Sequence, residues 1–372
     1  MAHTRTRRRR CITLALLLLP AGLGGAAEAQ PPVPHGLVER RWGQAGASRC
    51  VPDVPAALAE LPESGEPLGF RPASEGAFLS FLRHWQGIQR IAVGDGRWLV
   101  ATRSGTSTGF VIVRMASRDA SGGPFRASRL RSGLPARDLA PPPMDRVITA
   151  VPAEPGLEHA GGPQLAGHLL AVPYEARGDS SAVVFYDVGN PAAPRRIGLV
   201  RGRAGGAAAD PTHASLAALA RLADHRWLLV VGERSSKSLA FYRSVDSTLA
   251  DHREFVPLPV STDGVEGGFQ NLNLITQCDG ELFLVGMHNT GFPPPSLGHD
   301  HLHWYAFERS GEGLRLAPRG SRGVTCVECN FGAGAGLYVT PDGRLLLYGI
   351  GRGVGGPARS AQVEEFAPAP AG

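Results

Sequence analysis

The sequence predicts an all-β chain folded as a five-bladed β-propeller, closed by a strand from its N-terminal end. Three observations carry this expectation. A turn of Asp and Gly leading into an apolar strand recurs along the chain, the strongest short hairpin signal a sequence offers. Each copy occupies about fifty residues, room for the four strands of one blade. The last copy lacks its fourth strand, and a ring removes that deficit, because a bare sheet edge invites aggregation. Six blades is the alternative count. A two-layer sandwich would not repeat one hairpin five times.

Residues 1–29 read as a secretory signal. Arg5 and Arg7 to Arg10 form a basic start, Ile12 to Leu19 an apolar run, and Ala27-Glu28-Ala29 a small-residue cleavage site. The arginines ahead of Cys11 also resemble a twin-arginine export signal. The apolar run is far below the ~20 residues a membrane helix needs, and no transmembrane anchor is expected. The mature chain, 30–372, is expected to be one propeller domain, secreted or periplasmic. The whole chain carries a formal charge of +5, but five Arg against Glu28 in the leader leave only about +1 for the rest. A nucleic-acid partner, which wants a basic stripe on the folded domain, is therefore excluded.

The blades follow in order. The first hairpin is Gly94-Asp95-Gly96-Arg97-Trp98, with an inner strand near Ile88 and an outer strand near Val147 to Val151. Between them lies an insertion, roughly Arg118 to Asp145, whose Gly-Gly-Pro and Pro-Pro-Pro runs read as loop. The second, degenerate copy is Gly167-His168-Leu169-Leu170, with strands Leu165-Ala166, Leu169 to Pro173, Ala182 to Val188 and Arg195 to Val200. Asp224-His225-Arg226-Trp227 marks the third, with strands Leu216 to Leu222, Trp227 to Gly232, Ser238 to Arg243 and Glu254 to Val260. Asp279-Gly280 marks the fourth, with Leu272 to Gln277, Leu282 to Gly286, His303 to Glu308 and Leu314 to Ala317. Asp342-Gly343 marks the fifth, which offers Gly336 to Thr340, Leu345 to Gly349 and Gln362 to Phe366. Leu37 to Trp42 is expected to supply its missing outer strand.

Within the second copy, Val183 to Pro194 reads Val-Val-Phe-Tyr-Asp-Val-Gly-Asn-Pro-Ala-Ala-Pro. This segment resembles the LVIVD-type propeller repeat, whose strand ends in D-x-x-N/D-P-x-x-P. The resemblance covers one blade of five. It implies a propeller of an exported bacterial type and transfers no site residues.

Four Cys remain after the leader: Cys50, Cys278, Cys326 and Cys329. An even count outside the cytoplasm favours disulfides over a thiolate metal site. If Leu37 to Trp42 closes the ring, Cys50 emerges beside the last inner strand and pairs with Cys326 or Cys329.

In a blade the starts of the inner strands and the loops joining second to third strands meet on one face. His84 and His213 each stand fourteen residues before the hairpin tryptophans Trp98 and Trp227. They are expected to line a ligand pocket there with Trp85, Gln86, Gln270, Asn271 and Asn330. His159 stands at a shorter spacing in the degenerate copy, and the second-to-third loops add Arg103, Glu175 and Glu233. His299, His301 and His303 alternate as strand residues do, so their imidazoles would share a face able to hold a divalent metal. No nucleophile elbow or phosphate loop is present, and carboxylates are missing from the inner-strand starts where a glycosidase of this shape would carry its pair. The expectation is therefore a non-catalytic propeller that binds a protein or glycan. A hydrolase with His and Glu metal ligands around the channel is the alternative, and no catalytic residue is assigned.

Overall fold

Apolar runs bounded by tight turns become the strands of five sheets, antiparallel throughout the blades. The computed structural model describes residues 49–68, 84–94, 96–105, 108–115, 123–125, 146–176, 180–203, 214–233, 238–249, 255–290, 299–310, 313–351 and 362–369. All belong to the unit Val33–Gly372; the expected leader, His213 and Leu37 to Trp42 lie outside them.

A short helix, α1 (Val54–Ala59), and strand β1 (Glu66–Pro67) precede the blades. Blade one contains β2 (His84–Ile91), β3 (Trp98–Ser104), β4 (Gly109–Arg114) and β5 (Arg146–Pro152). In blade two, β6 (Leu157–Ala160) and β7 (Gln164–Ala166) share the inner edge of β8 (Leu169–Ala176), followed by β9 (Ser180–Asp187) and β10 (Arg195–Arg203). Blade three is β11 (Leu216–Arg221), β12 (Trp227–Glu233), β13 (Ser238–Ser244) and β14 (Phe255–Pro257). Blade four is β16 (Asn271–Thr276), β17 (Leu282–Asn289), β18 (Asp300–Ser310) and β19 (Gly313–Val324), with β15 (Val260–Ser261) parallel to its outer edge. Blade five is β20 (Ala335–Val339), β21 (Leu345–Ile350) and β22 (Val363–Phe366), completed by β1. The inner strands β2, β7, β11, β16 and β20 touch in that order around a central channel. The chain is thus a five-bladed propeller closed by an N-terminal strand.

Five apolar clusters fill the five seams between blades. Leu228 and Val230 pack toward blade four with Leu272, Leu284 and Tyr305, while Leu229 and Val231 pack toward blade two with Val183 and Phe185. Successive side chains of a strand point to opposite faces, and here both faces are covered, so these strands read as unbroken apolar runs. Each fully buried Leu, Val or Phe contributes roughly 1.5–3 kcal/mol.

Ring closure departs from expectation in its particulars. Glu66 and Pro67 pair with Glu365 and Glu364 on β22. The closing strand therefore follows Cys50 in sequence instead of preceding it. Val51 bridges Gln277, and Val54 N donates to Gln277 Oε1 at 3.0 Å, which places Cys50 at the opposite end of the ring, beside the hairpin turn of blade four. The expected pairing of Cys50 with Cys326 or Cys329 does not form. Cys50 joins Cys278, and Cys326 joins Cys329. Loop closure across the sequence separation of 228 from Cys50 to Cys278 stabilises by up to about 5 kcal/mol. Among the described residues no helix is long and apolar enough to cross a membrane.

Candidate functional site

The inner strands begin at one mouth of the channel, which we call the upper mouth. His84, Trp85 and Gln86 open β2 there, and the register of blade one carries a bulge between Trp85 and Gly87. Gln86 is the extra residue of that bulge, and a bulge re-aims a side chain. Its Nε2 lies 3.2 Å from His159 Nε2 on β6. An amide nitrogen has only hydrogens to give, so it donates to the imidazole lone pair, which puts the ring proton on Nδ1. Nδ1 faces Glu175 Oε2 at 3.6 Å, and the His159 and Glu175 side chains are 37% and 32% exposed. His84 leans over the same ring, with centroids 5.7 Å apart.

Asn271, at the start of β16, is fully buried, and neither its Oδ1 nor its Nδ2 has a hydrogen-bond partner in the protein. A Cβ on Gly87 or Gly162 would stand 3.0 Å or 2.8 Å from Asn271 Oδ1. The amide thus reaches across the channel to blades one and two, and only glycine leaves it room. Below it, amides knit the inner strands together. Gln164 Oε1 accepts from Leu219 N and Leu274 N, both at 2.9 Å, and Asn273 Oδ1 accepts from Leu337 N at 2.8 Å.

Other expected site residues are used by the fold. Trp85 is buried in the seam between blades five and one, and presents no platform to a ligand. The bulge explains this, since it displaces the strand's alternation by one residue. Asn330 Oδ1 accepts from Gly332 N at 2.7 Å and shapes the turn before β20. Gln270 N donates to Met287 O at 2.9 Å, and Arg103 is buried at the end of β3. Glu233 closes β12, and His213 lies outside the described residues.

Imidazoles gather on blade four in a different set from the one expected. The pairing of β17 with β18 sets His288 opposite His301, and His288 Nε2 lies 3.1 Å from His303 Nε2. The His288 ring is 5.0 Å from that of His303 and 5.7 Å from that of His301. His299, the third expected member, is exposed, 6.3 Å from His301 alone. Burial, then the neighbouring His303 and His301, lower the pKa of His288 to about 4. Burial also lowers that of His303. Both rings are therefore neutral and present lone pairs at physiological pH. A cross-strand His was not visible as a fourth member in the sequence, because register joins residues thirteen positions apart.

At the other mouth a cavity of about 440 Å³ is lined by Arg49, Arg221, Trp227, His168 and Tyr338. Arg49 donates to the Tyr338 hydroxyl at 2.7 Å and to Val339 O at 3.1 Å, which fixes the first described residues to blade five.

No family model matches the chain, so the resemblance of Val183 to Pro194 to a propeller repeat rests on that segment alone. No curated protein matches it by sequence. Solved structures share its architecture at low identity. An α-L-arabinofuranosidase of Fusarium graminearum, seen with arabinobiose, is 10% identical with a TM-score of 0.46, over 83% of this chain and 98% of that one. An α-L-arabinanase of Penicillium chrysogenum, also with arabinobiose, is 11% identical with a TM-score of 0.35, over 82% and 97%. A putative hydrolase from Bacteroides ovatus is 9% identical with a TM-score of 0.39, over 76% and 86%. The expectation of a non-catalytic binding propeller is corrected here, since propellers that the chain resembles are glycoside hydrolases.

Proposed function

We propose that the upper mouth is a hydrolytic site for a neutral, polyhydroxylated substrate of glycan type, with His159 as general base and Glu175 as its orienting carboxylate. One observation carries the reading: at the upper mouth His159 stands between Gln86, whose amide nitrogen is 3.2 Å from Nε2, and Glu175, whose Oε2 is 3.6 Å from Nδ1. A water or substrate hydroxyl that displaces the Gln86 amide meets the Nε2 lone pair. Proton transfer makes the ring an imidazolium, which the Glu175 carboxylate stabilises from the Nδ1 side, and that proton then passes to the leaving oxygen as the water oxygen bonds to carbon and the scissile C–O bond breaks. The Gln86 amide offers a donor and an acceptor without net charge, which suits hydroxyl groups better than phosphates or carboxylates. Export belongs to the same reading, supported by two disulfides in the folded chain.

The test is a panel of aryl glycosides and plant and microbial polysaccharides assayed with the purified protein. His159→Ala and Glu175→Gln should each lower kcat by about 100-fold or more with the fold unchanged. Failure to cleave any member, or full activity in both variants, sinks the reading.

A second reading, a divalent-cation site on blade four, is favoured by one distance. His288 Nε2 and His303 Nε2 are 3.1 Å apart, and two nitrogens on one tetrahedral zinc at about 2.05 Å stand about 3.3 Å apart. His301 stands beside this pair, its ring 5.7 Å from that of His288. Elemental analysis after exposure to Zn²⁺ should find one equivalent in the parent and none in His288→Ala or His303→Ala. No bound zinc in the parent would dismiss it.

A further inference from the structure

Glu364 is fully buried on β22, the strand that β1 clasps. Its Oε1 accepts from three successive backbone N–H groups: Val327 at 2.8 Å, Glu328, and Cys329 at 3.3 Å. Its Oε2 is buried without any hydrogen-bond partner. Leaving an acceptor in that state destabilises a fold, so the bonds to Oε1 do not account for the burial of the second oxygen. One carboxylate oxygen of Glu364 and the sulfurs of Cys326 and Cys329 all lie within 4.8 Å of one another. Burial raises the carboxyl's pKa against the three backbone N–H groups, which lower it, and the Glu328 charge adds a small rise.

The disulfide beside it contributes little to the fold. Cys326 and Cys329 are separated by 3 in sequence, against 228 for Cys50 and Cys278, so the short link scarcely restricts the unfolded chain. Its two sulfurs sit in unlike surroundings. Cys326 is half-buried and Cys329 is 9% exposed, while Val327 between them is 76% exposed. A thiolate from solvent therefore reaches Cys326 first, and Cys329 is the sulfur that leaves toward the interior.

We propose that Cys326 and Cys329 form a redox-active dithiol–disulfide pair in which the Glu364 carboxyl exchanges the proton of the Cys329 sulfur. A small thiolate attacks Cys326 Sγ and forms a mixed disulfide as the Cys326–Cys329 bond breaks. The electron pair of the broken bond goes to Cys329 Sγ, which takes the proton from Glu364. A second thiolate attacks the outer sulfur of the mixed disulfide and releases Cys326. Two thiols are oxidised to one disulfide, and the protein disulfide is reduced to two thiols. The two protons shed by the attacking thiols end on the two cysteines, one of them by way of Glu364.

The test uses the full-length protein in glutathione and dithiothreitol. Free thiols are trapped by alkylation, and each cysteine pair is read separately by peptide mass mapping. Cys326–Cys329 should open while circular dichroism still shows the native fold, and before Cys50–Cys278 opens. Glu364→Gln keeps an oxygen for the three N–H groups but carries no acidic proton. It should open at least about tenfold more slowly, and Glu364→Asp should recover part of the rate. If both pairs open together on unfolding, or if Glu364→Gln opens at the parent rate, the proposal is overturned.

Discussion

Asp300 is 3% exposed where blade four meets blade five, and its Oδ1 accepts from Asn289 Nδ2 at 3.0 Å and from Phe331 N at 2.7 Å. Burial raises its pKa above the ordinary 3.8. The native state therefore holds this proton more tightly than the unfolded chain does. Its stabilising contribution is complete below 3.8 and is lost as pH rises through the folded value. Asp300→Asn keeps an acceptor for both N–H groups and cannot ionise. Its melting temperature should exceed the parent's near pH 8 and converge with it near pH 3, as thermal melts at the two conditions would report. A variant less stable near pH 8 would contradict this account. At this scale the sequence is a partial guide. His84, Gln86, Glu175 and Asn271 are of the right types and do gather at the upper mouth or the channel below it. Trp85 has the right type as well, yet the bulge turns it into a seam. Single-residue slips of this kind leave no trace in composition.

Among the strands and turns, legibility was high wherever both faces are covered. The hairpin turns hold left-handed residues, with φ of 92° at Gly280 and 79° at Gly343, and His225 takes 65° in the place where these have glycine. That is why Asp-Gly marked the blades and Asp224-His225 still fitted the pattern. Blade four is longer than the expected Leu314 to Ala317, because β19 extends through Arg319 and Arg322, whose polarity hides a strand. Arg315 and Arg319 both pair with Glu308 on β18 across that outer edge. The inner strands tolerate less. A Cβ on Gly87 would stand 2.2 Å from Pro163 Cδ in the rigid ring of the neighbouring blade. Gly87→Ala should therefore cost about 1–3 kcal/mol, read as a lowered denaturant midpoint at unchanged slope. An unaltered midpoint would mean that the channel is looser than described.

For the whole molecule, the deficit of one strand in the last blade was enough to imply a ring, but not to say what closes it. Glu66-Pro67 has neither the length nor the apolar alternation that identifies a strand, whereas Leu37 to Trp42 has a strand's length with Leu37, Val38 and Trp42 in it, and lies outside the described residues. The cysteines shift with it, since a closing strand ahead of Cys50 puts that residue at the opposite end of the ring from Cys278, its partner. The hydrolytic reading met a similar limit: His159 and Glu175 belong to the most degenerate repeat, where spacing gives the weakest alignment.

Cys50–Cys278 has one more consequence. It fastens the piece bearing α1 and β1 to blade four by sulfur, while β1 itself grips blade five. Were the backbone severed between residues 68 and 84, that piece would remain riveted in place. Where the polypeptide happens to begin is thereby uncoupled from where the wheel is sewn shut.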